Sequence, residues 1–317
     1  MPVTIAETVE LNSCQVLLTA ECLAADPAGG VQARLIALRS QAASCQHIAA
    51  KLADCWRIEA GDRLAIELIA AEADRSGAAN PYHNPAHTRD VTVAWANLAA
   101  LNNHLHGRGQ APLALDPAAL AIGLIAALGH DLLHDGTGNI APGAQRRDHF
   151  RLESVAAARV ASLLAQCGLP AARVAIATAA ILATDTVAGY AALRWPPRQG
   201  GRPPAHPGLA PLSDPTTWLI AAMLRDADLM TSAGLTAAEY DRQTALLSEE
   251  QGRAFGTAAA AAQFFNQIAR GGFISPAGAV FMPRFQALKA LNQVRLKSAK
   301  TLSLAETAQR LAGQTDA

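Results

Sequence analysis

A chain of 317 residues with 51% hydrophobic and only 16% charged side chains has enough apolar surface to bury a large core. Lys+Arg and Asp+Glu balance at 26 each, and no basic run occurs. That excludes a nucleic-acid-coating surface, though not a small nucleotide bound in a pocket. Aromatic residues are 4% of the chain, and much of the apolar content is Ala and Leu, which favours helix over strand.

The first residues, MPVTIAETVE, lack a basic stretch followed by an apolar core, so no secretory signal is expected and cytoplasmic residence is the default. Residues 5–75 show apolar positions at helical spacing, among them Val16, Leu17, Cys22 and Leu23, then Leu35, Ile36 and Leu38, then Leu64, Ile66, Leu68 and Ile69. After a break at Ser76–Pro81, Asn84 as N-cap and Pro85 at the first helical position open a new helix. Asp116-Pro117 repeats that start signal, and the helix it opens is expected to end near Gly136. Its smoothly apolar part, Ala118 to Gly129, is too short to span a bilayer, so no membrane partner is expected. Two helices follow over 150–168 and 171–187, and Trp195–Pro215, dense in Pro and Gly, reads as one long loop. Helices resume at Thr216–Met230, Ala237–Glu250 and Thr257–Ile268, and a last one runs from about Met282 to Leu296. The fold class is all-α, a compact multi-helix bundle, with residues 1–60 as an N-terminal helical lead and a main domain over 61–317. The five cysteines are scattered and form no CxxC pair, so neither a disulfide framework nor a thiolate zinc site is indicated.

The nine histidines are unevenly distributed. His83 and His87 stand in NPYHNPAHTRDV, and His130 and His134 stand in ALGHDLLHDGTGN. An apolar helix that finishes in His-Asp-x-x-His-Asp carries costly polar groups into or beside the core, and a divalent metal supplies partners for them at once. A single histidine at a helix end needs no such explanation, because the helix dipole favours it there. Two His-x-x-x-His pairs, one with an adjacent Asp, point to a metal.

NPYHNPAHTRDV resembles the hallmark Y-H-N-x-x-H-A-x-D-V of the class I cyclic-nucleotide phosphodiesterases, with Thr88 replacing the usual Ala. GHDLLHDGTGN resembles that family's H-D-x-x-H-P-G-x-x-N, with Asp135 replacing Pro. ILATD (Ile181–Asp185) is similar to its L-A-T-D segment, RLESV to its L-E-x-H-H segment without the two histidines, and DADL (Asp226–Leu229) to its C-A-D-L segment. The matches run in family order, and the wider grouping is the HD-domain metal-dependent phosphohydrolases. The resemblance implies a catalytic domain over 61–317 and two divalent metals, zinc at the first site and magnesium or manganese at the second. His87, His130, Asp131 and Asp228 would hold the first metal, and Asp131 would bridge to the second. Glu153 and Thr184 would act through the second metal's waters. His83 would be the general acid for attack by a metal-bridging hydroxide, and His134 would hydrogen-bond that hydroxide or a phosphate oxygen. The implied reaction is hydrolysis of a 3′,5′-cyclic nucleotide, cAMP or cGMP, to the 5′-monophosphate, with a homodimer as an open possibility.

The specificity end departs from the family. Where S-Q-x-G-F-I is expected the chain has ARGGFI, which puts Arg270 at the position of the base-reading Gln. Phe273 remains available to stack on a base, or is an ordinary core aromatic, and Gln267 lies just upstream. Alternatives are an HD-domain phosphohydrolase acting on another phosphodiester or a phosphomonoester, a di-iron oxygenase on the same fold, and a non-catalytic sensor. Retention of His83 beside all four ligands argues against the sensor, since a pure binder needs no proton donor.

Overall fold

A computed structural model describes residues 16–139, 146–195, 204–252 and 256–312, all helix and connecting turns with no strand among them. The helices are α1 (Ala20–Ala25), α2 (Pro27–Ser40), α3 (Cys45–Cys55), α4 (Ala60–Ala73), α5 (Pro85–Gly107), α6 (Pro117–Gly129), α7 (Arg151–Gln166) and α8 (Ala171–Leu182). They continue with α9 (Ala188–Arg194), α10 (Pro215–Ala233), α11 (Ala237–Gln251), α12 (Ala258–Gln263), α13 (Pro276–Ala279) and α14 (Met282–Ala312). None of the described helices is long and apolar enough to cross a membrane.

Two helices are buried all round. In α5 every residue from His87 to Ala99 is buried, and in α6 every residue from Leu120 to Gly129. A helix without a wet face belongs in the middle of a bundle. Here α5 packs on α10 and α6, and α6 on α4 and α8. Gly123 sets the closeness of the α5–α6 contact, because a Cβ there would lie 1.9 Å from Cζ2 of Trp95, which is fully buried. His87 and His130 thus sit at the ends of these two buried helices.

The starts of α5 and α6 are as the sequence indicates, with Asn84 and Asp116 capping and Pro at the first helical position. Other boundaries differ. The α6 helix stops at Gly129 rather than near Gly136, because Leu133 takes a left-handed conformation (φ 63°) and its N–H is held by Ser76 Oγ at 2.7 Å. The helix expected over 171–187 ends at Leu182, and Thr184 and Asp185 lie in the turn before α9. The Pro/Gly-rich stretch is not wholly loop: Pro207–Ser213 form a 3₁₀ helix, opened by His206, whose Nδ1 accepts the Gly208 N–H. Residues 196–203 of that stretch lie outside the described residues. The α14 helix extends past Leu296 to Ala312.

The described part of the N-terminal lead shares the core of the rest. Asn97 on α5 accepts from Leu18 N at 2.9 Å and donates to Val16 O at 3.1 Å. Arg39 on α2 reaches Asp90 on α5 and Glu239 on α11. Val31, Leu35 and Leu38 are fully or almost fully buried.

Candidate metal centre

The Asn84 cap places the first ligands. Its Oδ1 accepts from Ala86 N (2.9 Å) and His87 N (3.2 Å), and its Nδ2 donates to Asn80 O and Pro81 O. His87 therefore enters the first turn of α5 in a fixed position, with its side chain 3% exposed. His130 follows the last turn of α6, and its Nδ1–H donates to Ala127 O at 2.8 Å. That bond fixes the tautomer and leaves the Nε2 lone pair free, as metal-binding imidazoles require.

Around the two Nε2 atoms stand two carboxylates. Asp131 Oδ2 is 3.2 Å from His130 Nε2 and 3.4 Å from His87 Nε2, and Asp228 Oδ1 on α10 is 3.4 Å from His87 Nε2. One ligand atom from each of His87, His130 and Asp228 lies within 4.8 Å of the others. Both nitrogens of His87 and Nε2 of His130 are buried without a hydrogen-bond partner. A buried imidazole nitrogen without a partner is expensive, and a shared cation would remove the cost at the two Nε2 atoms. The electrostatics agree. Burial opposes a charged His87, yet the Asp131 and Asp228 carboxylates outweigh it and raise the imidazole to about 10. Burial likewise opposes ionised Asp131, but His130 beside it holds the carboxyl well below its usual range. Two His nitrogens and carboxylate oxygens form a donor set that suits a divalent transition metal.

A second group lies next to the first. The His83 and His134 rings are stacked with centroids 3.7 Å apart, and Tyr82 lies against both His83 and His87. Asn80 binds the two histidine segments together, its Nδ2 donating to His83 O (3.1 Å) and His134 O (3.0 Å). Gly77, at φ 63°, lets His83 O come this close, because a Cβ there would be 2.2 Å from that oxygen. His134 does not share a helical face with His130, as the spacing suggests; the left-handed Leu133 turns it away from α6 and onto His83. His134 Nδ1 accepts the Gly136 N–H at 3.1 Å, so its proton sits on Nε2. Burial, and then the charge of His83, lower its pKa to about 4, which makes it a neutral hydrogen-bond donor.

Glu250, in the last turn of α11, completes this group and has no counterpart in the sequence reading. Its Oε1 lies 2.5 Å from His83 Nδ1, and its Oε2 accepts from Tyr82 N (2.9 Å) and His83 N (2.8 Å). Burial favours the neutral acid, but the His83 contact outweighs it and lowers the Glu250 pKa. His83 thus keeps Nδ1 protonated against a carboxylate and presents Nε2 outward. No local signal marks Glu250, which is 167 residues from its partner.

Glu153 belongs to a third group, with Asn139 and Asp185. Asn139 Nδ2 donates to both Glu153 oxygens (3.0 and 2.9 Å) and to Asp185 Oδ2 at 3.1 Å. Burial, then the neighbouring Asp185, raise Glu153 to about 7. Asp185 itself is fully buried and accepts from Phe150 N, Val187 N and Ala188 N, which fixes the turn that carries Thr184. The Thr184 hydroxyl donates to Ile181 O. Asn139 and Asp185, which hold this group together, are the final residues of the two motifs GHDLLHDGTGN and ILATD.

The expected specificity residues are dispersed. Phe273 is 5% exposed and packs edge-on against Phe281 and Phe285 in the core, and Arg270 is exposed. The side chain of Gln267 lies outside the described residues. The segment carrying Phe273 is fastened to α10 by Asp226, which accepts from Ile274 N and Ser275 N. Asp228 thus faces the imidazoles, and Asp226 faces the other way. Asp90 touches no histidine and pairs with Arg89 and Arg39.

No family model matches the sequence, and no curated protein matches it. Among solved structures, the chain is similar to the phosphodiesterase domain of the RhoPDE fusion protein from the choanoflagellate Salpingoeca rosetta. The TM-score is 0.54 at 17% identity, over 89% of this chain and 100% of that one. It is similar also to the phosphodiesterase domain of Salpingoeca rosetta rhodopsin phosphodiesterase, with TM-score 0.55 at 17% identity, over 91% of this chain and 98% of that one. The chain has a phosphodiesterase-domain fold. At this identity the likeness resides in helix order and packing.

Proposed function

We propose that this chain is a metal-dependent phosphodiesterase that hydrolyses a 3′,5′-cyclic nucleotide to the 5′-monophosphate. The observation that carries the reading is the convergence of His87, His130, Asp131 and Asp228 on buried imidazole nitrogens that have no hydrogen-bond partner. Those four residues would hold the first metal, zinc as the family resemblance implies, and Asp131 would be shared with a hydrated magnesium or manganese near Glu153 and Thr184. Metals held there supply an activated water and neutralise charge on the phosphoryl oxygens.

The chain's own residues do the rest. As water adds to phosphorus, the P–O bond to the leaving ribose oxygen breaks and that oxygen takes a proton. His83 gives it from Nε2 while Glu250 holds Nδ1 and steadies the imidazolium beforehand. His134, neutral and donating from Nε2, would bind a phosphoryl oxygen or the attacking water without adding a second positive charge. Tyr82 closes one side of the two histidine groups and lines a small cavity of about 80 Å³ with Tyr240, Gln243, Thr244, Leu247 and Phe264.

The dispersal of Arg270 and Phe273 favours a second reading, hydrolysis of a different phosphodiester or a phosphomonoester by the same centre. One experiment separates the two: metal analysis of purified protein with turnover of cAMP, cGMP and a panel of other phosphoesters. Cyclic-nucleotide turnover that is lost in Asp228→Ala and His83→Ala, with bound metal lost in the former alone, is expected. Full activity in Asp228→Ala would refute the metal assignment. Turnover of other esters with cyclic nucleotides inert would select the second reading, and two irons with an oxygen-dependent product would replace both.

A further inference from the structure

Helix α11 carries Glu250, yet little apolar packing holds it. Of its fifteen residues only Tyr240 and Gln243 are buried as whole residues, both in its first half, and beyond them the polar Glu250 side chain is buried against His83. Its ion pair to α14, Asp241–Arg295, is open to water on both sides, at 50% and 39% exposure. Solvated pairs of that kind contribute little to fixing a helix.

The first turn of α11 is held differently. Arg39, from α2 in the N-terminal lead, donates to both oxygens of Glu239, through Nη1 (3.0 Å) and Nη2 (2.8 Å). The same guanidinium donates through Nε to Asp90 Oδ2 at 2.7 Å on α5. Asp90 is 3% exposed, Glu239 12% and Arg39 22%, so the bridge is largely shielded from water. Asp90 follows His87 by one turn, and Glu239 is fixed in addition by Arg242 and by Gln243 Nε2 at 2.8 Å. A planar guanidinium that bonds two carboxylates on two helices sets both distance and angle between them, which an ammonium does not.

We infer that Arg39 is a positioning residue for proton donation: by pinning α11 to α5 it holds Glu250 against His83 Nδ1. This rests on the reading of His83 as general acid. The 1–60 lead is on this account a working part of the centre, although it contributes no group that touches substrate. Loss of the bridge frees the first turn of α11, and the helix then shifts as a rod, carrying Glu250 at its other end away from His83.

The effect is specific to the step in which His83 acts. A cyclic nucleotide expels a basic alkoxide that needs a proton, whereas bis(p-nitrophenyl) phosphate expels a stable phenolate that does not. Arg39→Ala and Glu239→Gln are therefore expected to lower kcat for the cyclic nucleotide about tenfold, a fraction of what general acids contribute, and to leave bis(p-nitrophenyl) phosphate turnover within about twofold. Arg39→Lys, which keeps the charge and loses the bidentate fork, is expected to fall between Arg39→Ala and wild type. Metal content should match wild type throughout. Equal losses on both substrates, or no loss on either, would overturn the inference.

Proton NMR of the full chain supplies a second readout that needs no turnover. The His83 Nδ1–H, short-bonded to Glu250, should resonate far downfield in wild type and move or vanish in Glu239→Gln and Arg39→Ala. An unchanged resonance overturns the inference even if the protein hydrolyses nothing tested. A wild type that hydrolyses no phosphodiester while the resonance does shift overturns the proposed function and leaves the positioning intact.

Discussion

The Glu250→Gln substitution isolates the contribution of one oxygen to proton donation. The side chain is 2% exposed and accepts three hydrogen bonds, two from backbone N–H groups on Oε2 and one from His83 Nδ1 on Oε1. Glutamine fits the same space and keeps one carbonyl oxygen, which the two backbone donors would retain. Its NH₂ then faces His83 Nδ1, donor against donor, and the imidazolium loses its partner. Charge-assisted hydrogen bonds of this type are worth about 1.5–3 kcal/mol. At about 1.4 kcal/mol per decade that corresponds to a roughly 10- to 150-fold fall in kcat for a cyclic nucleotide. The ceiling is the whole contribution of the acid, about 10²–10⁴-fold, which His83→Ala measures. Steady-state kinetics on a cyclic nucleotide and on bis(p-nitrophenyl) phosphate, with metal content and thermal unfolding as controls, is the assay. A kcat within twofold of wild type on the cyclic nucleotide, from a folded and metal-loaded variant, would refute the role given to Glu250.

Two further outcomes test the frame around the centre. Gly123→Ala drives a Cβ to within 1.9 Å of Trp95 Cζ2 in the fully buried α5–α6 contact, and overpacking of this kind costs about 1–3 kcal/mol. That exceeds the gain of at most about 1 kcal/mol in helix propensity, so the urea midpoint should fall; an unchanged midpoint would mean that the indole has room to move. For Glu239, burial opposes ionisation, but Arg242 and Arg39 outweigh it and bring its pKa down to about 2. A carboxyl whose folded pKa lies below its unfolded one stabilises the fold above about pH 4.5 and loses that contribution as the pH falls toward its folded pKa. The stability gap between wild type and Glu239→Gln should therefore be widest near neutral pH and shrink below about pH 4.5; a gap independent of pH would show that the Arg39 bridge gives no net stabilisation.

Much of the centre was legible in the sequence because its signals are local. Asn84-Pro85 and Asp116-Pro117 announce helix starts through capping chemistry confined to four residues, and both helices begin there. A wholly apolar run that ends in His-Asp has few physical explanations, so His130 and Asp131 stood out before any packing was known. The same locality misled where the backbone departs from regularity. Leu133 enters the left-handed region, which few non-glycine residues do, and the i, i+4 relation between His130 and His134 dissolves with it.

Residues whose role depends on a distant partner left no trace of that kind. Glu250 is one of two adjacent glutamates on a polar helix until α11 carries it to a histidine 167 residues away. Arg39 reads as an ordinary basic residue in the last turn of α2 until it meets Asp90 and Glu239, 51 and 200 positions off. Phe273 fits a base clamp by motif alone, yet it lies in the core with Phe281 and Phe285. By itself the sequence determined the all-helical class and the positions of the strong helix starts, because these follow from propensity and capping, and it marked His130 and Asp131 as candidate ligands through the cost of burying a polar group. Only the tertiary structure decided which carboxylate meets His83 and how the N-terminal lead is tied in. Those depend on which surfaces of separate helices meet, and helical periodicity specifies only that each has a face to bury.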